Sequence, residues 1–433
     1  MACLTAAACS TEPQGTLEIT LDPLAKITSA TSVTIGGGVT RTPVKTTTIV
    51  VRASGGLGTP VDTVRGGRFA LKIDLNTNAQ NQLALTASDA TGAASPAVNV
   101  SIRQDNQPPT VVQTTPADTA DNVARNTPIQ LKMSEPVVVA AGGGIRMTRQ
   151  GAPVSGAASL SADSLTLTFV PSAQLSPNAI YRIAVSGVSD VANNASTSPL
   201  TTCFVTAVTG ATASLSVSDS INDTFYGGDT TRNTLARPDL VGARFAREGT
   251  LFSGVFRFVG PRTFSRVANN RAAVFLDLDV DQDSTTGFVT IKDFLFRQSF
   301  PTYSSGTRAE YLIGLEPLSE LGDSAYVGKW VPPADSLEFE PVAAFVPDVC
   351  GAAMAFVVPF SVLGNDDGKM NAVAVALASS TTALFADPLP TRGRLTLNLA
   401  SPTGPVAGME WPVAPAPATR VLRPRIPIRR LKT

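Results

Sequence analysis

The sequence predicts an all-β protein, a row of sandwich units in tandem that ends in a larger one, and three observations carry that expectation. Charged residues make up only 16% of the 433 and hydrophobic ones 43%, enough for real cores. Apolar residues alternate in short runs separated by Gly- and Asn-rich turns, a pattern that suits strands and does not suit long helices. The length exceeds one ordinary domain, and at about 150 residues per domain it suggests three units.

Residues 14–105 form the first unit. Apolar runs lie at Leu17–Leu21, Val33–Ile35, Thr47–Val51, Phe69–Leu75, Leu83–Thr86 and Val98–Ile102. Turns are expected between them at Gly36–Gly38, Gly55–Gly58, Gly66–Gly67 and Asn76–Asn81. The segments Gly67-Arg68-Phe69 and Leu83-Ala84-Leu85-Thr86-Ala87-Ser88-Asp89-Ala90-Thr91-Gly92 resemble bacterial extracellular immunoglobulin-like (Ig-like) spacer repeats. In that reading Asp89 to Gly92 is a turn.

Asp105-Asn106-Gln107-Pro108-Pro109 closes the unit, because paired prolines do not continue a central strand. The second unit covers 108–207. It runs through Pro108-Pro109-Thr110-Val111, Thr115-Pro116, Asn126-Thr127-Pro128-Ile129, Met133-Ser134-Glu135-Pro136-Val137, Leu165–Phe169, Tyr181-Arg182-Ile183, Ser189-Asp190-Val191-Ala192-Asn193-Asn194 and Phe204-Val205-Thr206. In that order these resemble the Ig-like domain of bacterial S-layer proteins. The resemblance implies a spacing or cohesion role and brings no catalytic residues. Asn193 stands where the family has Gly, at a position where Asn tolerates a left-handed turn.

Residues 214–400 make the third unit, with strand-like runs at Leu251–Val259, Ala272–Leu278, Tyr311–Leu315, Ala355–Val358 and Ala372–Leu377. Its size exceeds a minimal Ig-like domain and fits a larger jelly-roll-type sandwich. The expected architecture is therefore tandem Ig-like β-sandwiches followed by a larger jelly-roll-type β-sandwich. Pro238-Asp239-Leu240-Val241 and the acidic run that follows resemble carbohydrate-binding and DOMON-like sandwich modules of secreted bacterial proteins.

One segment carries metal chemistry. Leu276-Asp277-Leu278-Asp279-Val280-Asp281-Gln282-Asp283-Ser284-Thr285-Thr286-Gly287 places four carboxylates at alternate positions before a Gly turn. On an extended strand they would share a face and repel unless a cation gathers them or the chain curls away. A hard ion with oxygen ligands fits, and calcium is favoured over magnesium, which demands stricter octahedral geometry. Asp279, Asp281 and Asp283 are the expected ligands, with Asp277 an outer member; the competing reading is a solvated acidic turn. Asp219, Asp223 and Asp229, and the turn Gly364-Asn365-Asp366-Asp367-Gly368, would join a metal site only if the fold brings them near. Trp330, Tyr303, Tyr311, Tyr326 and Trp411 offer faces for stacking on a sugar ring or, equally, core packing.

The absence of histidine excludes Ser-His-Asp and Cys-His catalysis and His-ligated zinc or iron. Carboxylate-pair catalysis survives, so a hydrolase in 214–400 remains an alternative to the expected non-enzymatic role. The formal net charge of zero gives no electrostatic case for nucleic acid. Residues 401–433 form a Pro-rich basic tail, leaving 28 Lys and Arg against 33 Asp and Glu on the rest of the chain.

Residues 1–13 read as the remnant of a leader. Leu4-Thr5-Ala6-Ala7-Ala8-Cys9-Ser10 resembles the lipobox of bacterial lipoproteins, with Ala6 where the family prefers Leu. The resemblance implies that translation starts further upstream and that Cys9 is lipidated, so that a lipid would tether the protein to the membrane. No stretch of about 20 apolar residues is present, so no membrane-spanning helix is expected. Cys203 and Cys350 lie in different units and are either bonded across them or two separately buried thiols. The expected protein is exported to the cell envelope or outer surface. Its Ig-like spacers present a C-terminal sandwich to a cell-envelope or extracellular polysaccharide, with a purely structural stalk as the alternative.

Overall fold

The computed structural model describes residues 15–196, 201–228, 236–297, 303–332, 337–379 and 383–400, and the fold is all-β. Cys9, Asp229, Trp411 and the basic tail lie outside the described residues.

In the first unit a three-stranded sheet, ordered Thr16–Leu21, Ser32–Thr42, Arg68–Asp74, shares a core with a five-stranded sheet ordered Ile27–Thr28, Val98–Gln104, Gln80–Asp89, Ile49–Ser54, Val61–Thr63. Burial alternates residue by residue along Arg68–Asp74, so Phe69, Leu71 and Ile73 point inward. The expected turn at Gly36–Gly38 is instead the middle of the strand Ser32–Thr42. The reason is packing: Gly37 lies directly opposite Phe69, whose ring occupies the space a Cβ would need. Gly254 opposite Phe356 and Gly314 opposite Tyr326 repeat this device in the third unit.

The second unit pairs a four-stranded sheet, Gly156–Leu160, Thr166–Pro171, Ile129–Met133, Val111–Thr115, with a five-stranded one, Ala120–Val123, Thr201–Thr206, Ile180–Asp190, Val137–Arg149, Ala152–Pro153. Leu131, Met147, Leu167, Tyr181, Ile183 and Phe204 fill its core. The Tyr181 hydroxyl accepts the Ser176 N–H at 2.8 Å, so the one polar atom of the ring is satisfied. The two Ig-like units close the same strand with the same turn. Asp89 Oδ1 accepts the backbone N–H of Thr91 and Ala93, and Asp190 Oδ1 accepts that of Asn194. Gly92 at φ 89° and Asn193 at φ 68° supply the left-handed residue in each.

The third unit is a larger sandwich. Its five-stranded sheet runs Ala213–Ser218, Leu240–Glu248, Leu251–Phe258, Ala353–Pro359, Asp348–Cys350. Its larger sheet runs Phe225–Gly228, Ala383–Leu389, Lys369–Ser379, Ala273–Asp279, Tyr311–Leu318, Ser324–Trp330, Phe339–Phe345, with Leu395–Asn398 also paired to Lys369–Ser379. One apolar cluster lies between the sheets. A second covers the outer face of the larger sheet, where the helix Ile291–Arg297 packs Ile291, Leu295 and Phe296 against Phe275, Leu312, Tyr326 and Val375. This added layer is what lengthens the unit.

The second and third units are locked together. The smaller sheet of the third unit is buried on both faces: Phe252, Phe256, Met354 and Phe356 point into its own core. From the opposite face of the same strands, Leu251 and Val357 enter the core of the second unit, and Val255, Ala353 and Ala355 pack on Ile180 and Val205. Cys203 and Cys350 form a disulfide across this seam, with Cα atoms 5.7 Å apart. Arg244 pairs with Asp121 at 2.7 Å, Arg257 also reaches Asp121, and Arg125 reaches Glu248.

Replacing Gly314 by Val drives a branched side chain into the Tyr326 ring. The variant is expected to lose about 1–3 kcal/mol of stability in urea unfolding, the usual cost of overpacking. An unchanged midpoint would show that the ring is free to move aside.

Candidate functional sites on the third sandwich

The acidic run begins inside the larger sheet and then leaves it. Asp277 and Asp279 are the last alternate positions of the strand Ala273–Asp279 and both are buried, at 1% and 0% exposure. Beyond them the chain turns, with Gln282 at φ 57°, and Asp281 and Asp283 are exposed. The four carboxylates therefore do not share one face.

Asp277 does not join a metal group. Its Oδ2 accepts the backbone N–H of Ile291 at 2.7 Å, at the start of the helix, and its Oδ1 accepts the Trp330 indole N–H at 3.1 Å. Burial pushes its pKa up to about 8 against these two donors, so the folded protein holds it largely as the neutral acid at pH 7. Asp283 is likewise engaged elsewhere, taking the N–H and hydroxyl of Thr285 at 2.9 and 2.6 Å within its own turn.

Asp279 and Asp281 do converge, together with Glu310, which the sequence reading did not single out. One ligand oxygen from each lies within 4.8 Å of the others. Oxygens bound to one calcium at about 2.3–2.6 Å are at most about 5 Å apart, so the spacing suits a single ion. Asp279 Oδ2 accepts from the Thr307 hydroxyl at 2.5 Å and Asn371 Nδ2 at 2.9 Å, while its buried Oδ1 has no donor. Glu310 Oε2 takes the Val280 N–H at 2.9 Å and Oε1 has none. Burial, followed by the charges of Asp281 and Asp279, raises Glu310 to about 7. Glu310 stands just before the strand Tyr311–Leu318, whose Tyr311 pairs with Leu278. Only strand register brings it here, and no local motif announces it.

A second group forms at the opposite side of the larger sheet. Asp219, Asp223 and Asp387 place ligand oxygens within 4.8 Å of one another. Asp387, on the strand Ala383–Leu389, is fully buried and is raised to about 8 by burial and then by Asp223, Asp219 and Asp239. A third group, Asp105, Glu135 and Asp190, lies where the first unit meets the second. Asp105 is engaged by Arg103 and Asp190 by the backbone and side chain of Asn194. Burial, then Asp105 and Asp190, raises Glu135. Asp366 and Asp367 close their own turn, accepting the N–H of Gly368 and Lys369 at 2.7 and 2.8 Å.

Among the described residues, the aromatic candidates do not offer a common surface. Tyr326 and Trp330 are core residues at 0% and 2% exposure, stacked on and edge-on to Phe339. Tyr303 packs on Phe296, and Tyr311 is partly buried against the main core. They pack inward because the added helical layer covers the sheet face that carries Tyr326 and Trp330.

Residues 105–206 match the model of the bacterial Ig-like domain family, and this segment is such a domain. None of the curated proteins matches the chain. Among solved structures, the N-terminal part of the bacterial S-layer protein SbsC is 11% identical over 35% of this chain and 41% of its own length, at a TM-score of 0.19. A structure of a 1.5-MDa bacterial ice-binding adhesin, concerned with host cell surface retention, is 12% identical over 88% of this chain and 96% of its own, at a TM-score of 0.27. Drosophila N-cadherin EC1-3 is 10% identical over 44% of this chain and 67% of its own, at 0.16.

The raised carboxyls set a pH dependence. Asp277 and Asp387 at about 8 and Glu310 and Asp348 at about 7 keep protons that the unfolded chain releases near 4. The folded state thus binds more protons between about pH 4 and 8, and stability falls as pH rises through that window. In chelator the melting temperature is expected to be lower at pH 8 than at pH 5, with a shallower slope for Asp277→Asn. A flat profile would mean that these groups are ionised in the fold.

Proposed function

We propose that the chain is a non-enzymatic surface arm of adhesin type, in which Ig-like units present a rigid C-terminal head that uses calcium to engage a polyhydroxylated polymer. The observation that supports it most directly is the lock between the second and third units. Buried apolar contacts, four Arg–carboxylate pairs and the Cys203–Cys350 disulfide join spacer and head into one body that can transmit force. A disulfide across the seam also suits an oxidising compartment outside the cytoplasm.

Asp279, Asp281 and Glu310 are the calcium ligands of this reading. Asp279 is buried and Asp281 is exposed, so an ion held by both would keep part of its coordination sphere open to sugar hydroxyls or carboxylates. Recognition then runs through the ion rather than through aromatic stacking. A lipid on Cys9 would hold the arm at the cell envelope, and mass spectrometry of the native protein reads that modification directly. The burial of Tyr326 and Trp330 favours a second reading, a structural stalk without a specific ligand.

A polysaccharide array probed with the full chain, in calcium and in chelator, separates the two. Binding to one polymer class that needs calcium and drops at least about tenfold in Asp281→Asn or Glu310→Gln is expected. A folded protein that binds nothing in either condition would leave the stalk.

A further inference from the structure

The corner where the two sheets of the third sandwich meet holds more unpartnered buried acid than any local turn explains. Asp387 is 0% exposed and Asp239 6%. Asp219 Oδ2, Asp223 Oδ1, Asp239 Oδ1 and Asp387 Oδ1 are all buried without a hydrogen-bond donor, as is the Thr224 hydroxyl. Their other oxygens are well used. Leu240 N–H donates to Asp387 Oδ2 and Asn222 N–H to Asp239 Oδ2, the latter at 2.8 Å. The Thr391 hydroxyl lies 3.4 Å from Asp219 Oδ1 and 3.2 Å from Asp223 Oδ2. Each carboxylate is thus fixed through one oxygen while the other is left bare.

Two cations among the described residues that sense these acids hydrogen-bond to backbone carbonyls instead. Lys292 feels Asp293 and then Asp219, and its Nζ donates to the carbonyls of Pro390 and Gly393. Arg262 feels Asp239, but its Nη1 and Nη2 donate to the carbonyls of Ala236 and Arg237, and its Nε has no acceptor. A buried polar atom without a hydrogen-bond partner destabilises the fold, and more so when it is charged. Four such oxygens and a hydroxyl in one corner therefore call for a missing positive partner.

We propose that Asp219, Asp223 and Asp387, with Asp239 beside them, bind a calcium ion that fastens the two sheets of the third sandwich at this corner. The donor set is all oxygen and multiply charged, which a hard divalent cation prefers, and Asp219, Asp223 and Asp387 meet the spacing for one ion. The acids come from separate parts of the chain: the loop after the strand Ala213–Ser218, the residue before Leu240–Glu248, and the strand Ala383–Leu389. The ion is therefore a staple between the smaller and the larger sheet, and its role is structural. The site is distinct from the Asp279–Asp281–Glu310 group and does not depend on it.

Calcium titration calorimetry and melting curves on the metal-stripped full chain test this, in a Glu310→Gln background that silences the other site. One equivalent of calcium and a rise in melting temperature are expected, with magnesium at equal concentration giving neither. Adding Asp387→Asn, which keeps an acceptor for the Leu240 N–H, should abolish the uptake or weaken it at least tenfold. It should also leave the chelated protein as stable as its parent, since the change removes a buried acid. If Asp387→Asn does not fold, Asp219→Asn at the more exposed edge carries the same expectation for calcium uptake. Unchanged uptake in a folded variant, or no uptake by the Glu310→Gln chain, would overturn the proposal. Loss of uptake in Glu310→Gln alone would assign the calcium to the other site and overturn it equally.

Discussion

The strand Leu251–Phe258 is buried on both faces, and much of the molecule depends on that one constraint. An ordinary sandwich strand alternates inside and outside, whereas this one alternates between two insides. Phe252 and Phe256 fill the third unit, and Leu251 and Val255 meet the second. Full burial of a Val or Leu side chain contributes about 1.5–3 kcal/mol, and several such residues line the seam. The disulfide closes a contact that apolar burial already defines.

The same two-sided burial decides where charge goes. On the strand Leu240–Glu248, Ala243 and Phe245 face the core, while Arg244 and Glu248 face the second unit and meet Asp121 and Arg125. Burial lowers the pKa of Arg257 at this seam, and the neighbouring Asp121 opposes the shift. At this seam Arg125, Arg244 and Arg257 meet the opposite charges of Glu248 and Asp121, whereas the acids at the Asp219–Asp387 corner take only neutral donors. That contrast, between acids that are paired and acids left bare, separates structural charge from candidate ligands in this protein.

The aromatic residues follow from the added layer on the larger sheet. Once the helix Ile291–Arg297 covers that face, Tyr326 and Trp330 serve the core, and Trp330 and the helix start both bind Asp277. A carboxyl that looked like the first member of a metal run is thereby the polar anchor of a helix. Its raised pKa and its two donors have one cause, enclosure in an apolar layer.

Much of the architecture was legible in the sequence because period-two burial and turn chemistry are local. Most strands of the two Ig-like units and the Asp190 turn with left-handed Asn193 stand where the residues place them. Gly36–Gly38 misled because a glycine run signals a turn unless a facing ring, here Phe69, needs the space. The Asp run was visible as a concentration of charge, but which of its members converge depends on where the strand ends and the chain curls. Glu310, Asp239 and Asp387 reach their groups through strand register across gaps of tens to more than a hundred residues, and no spacing rule encodes that. The sequence by itself determined the elements and the residue types available for chemistry. Only the tertiary structure decided which acids meet, because a carboxylate's partners are set by non-local pairing while its burial pattern is set by its neighbours in the chain.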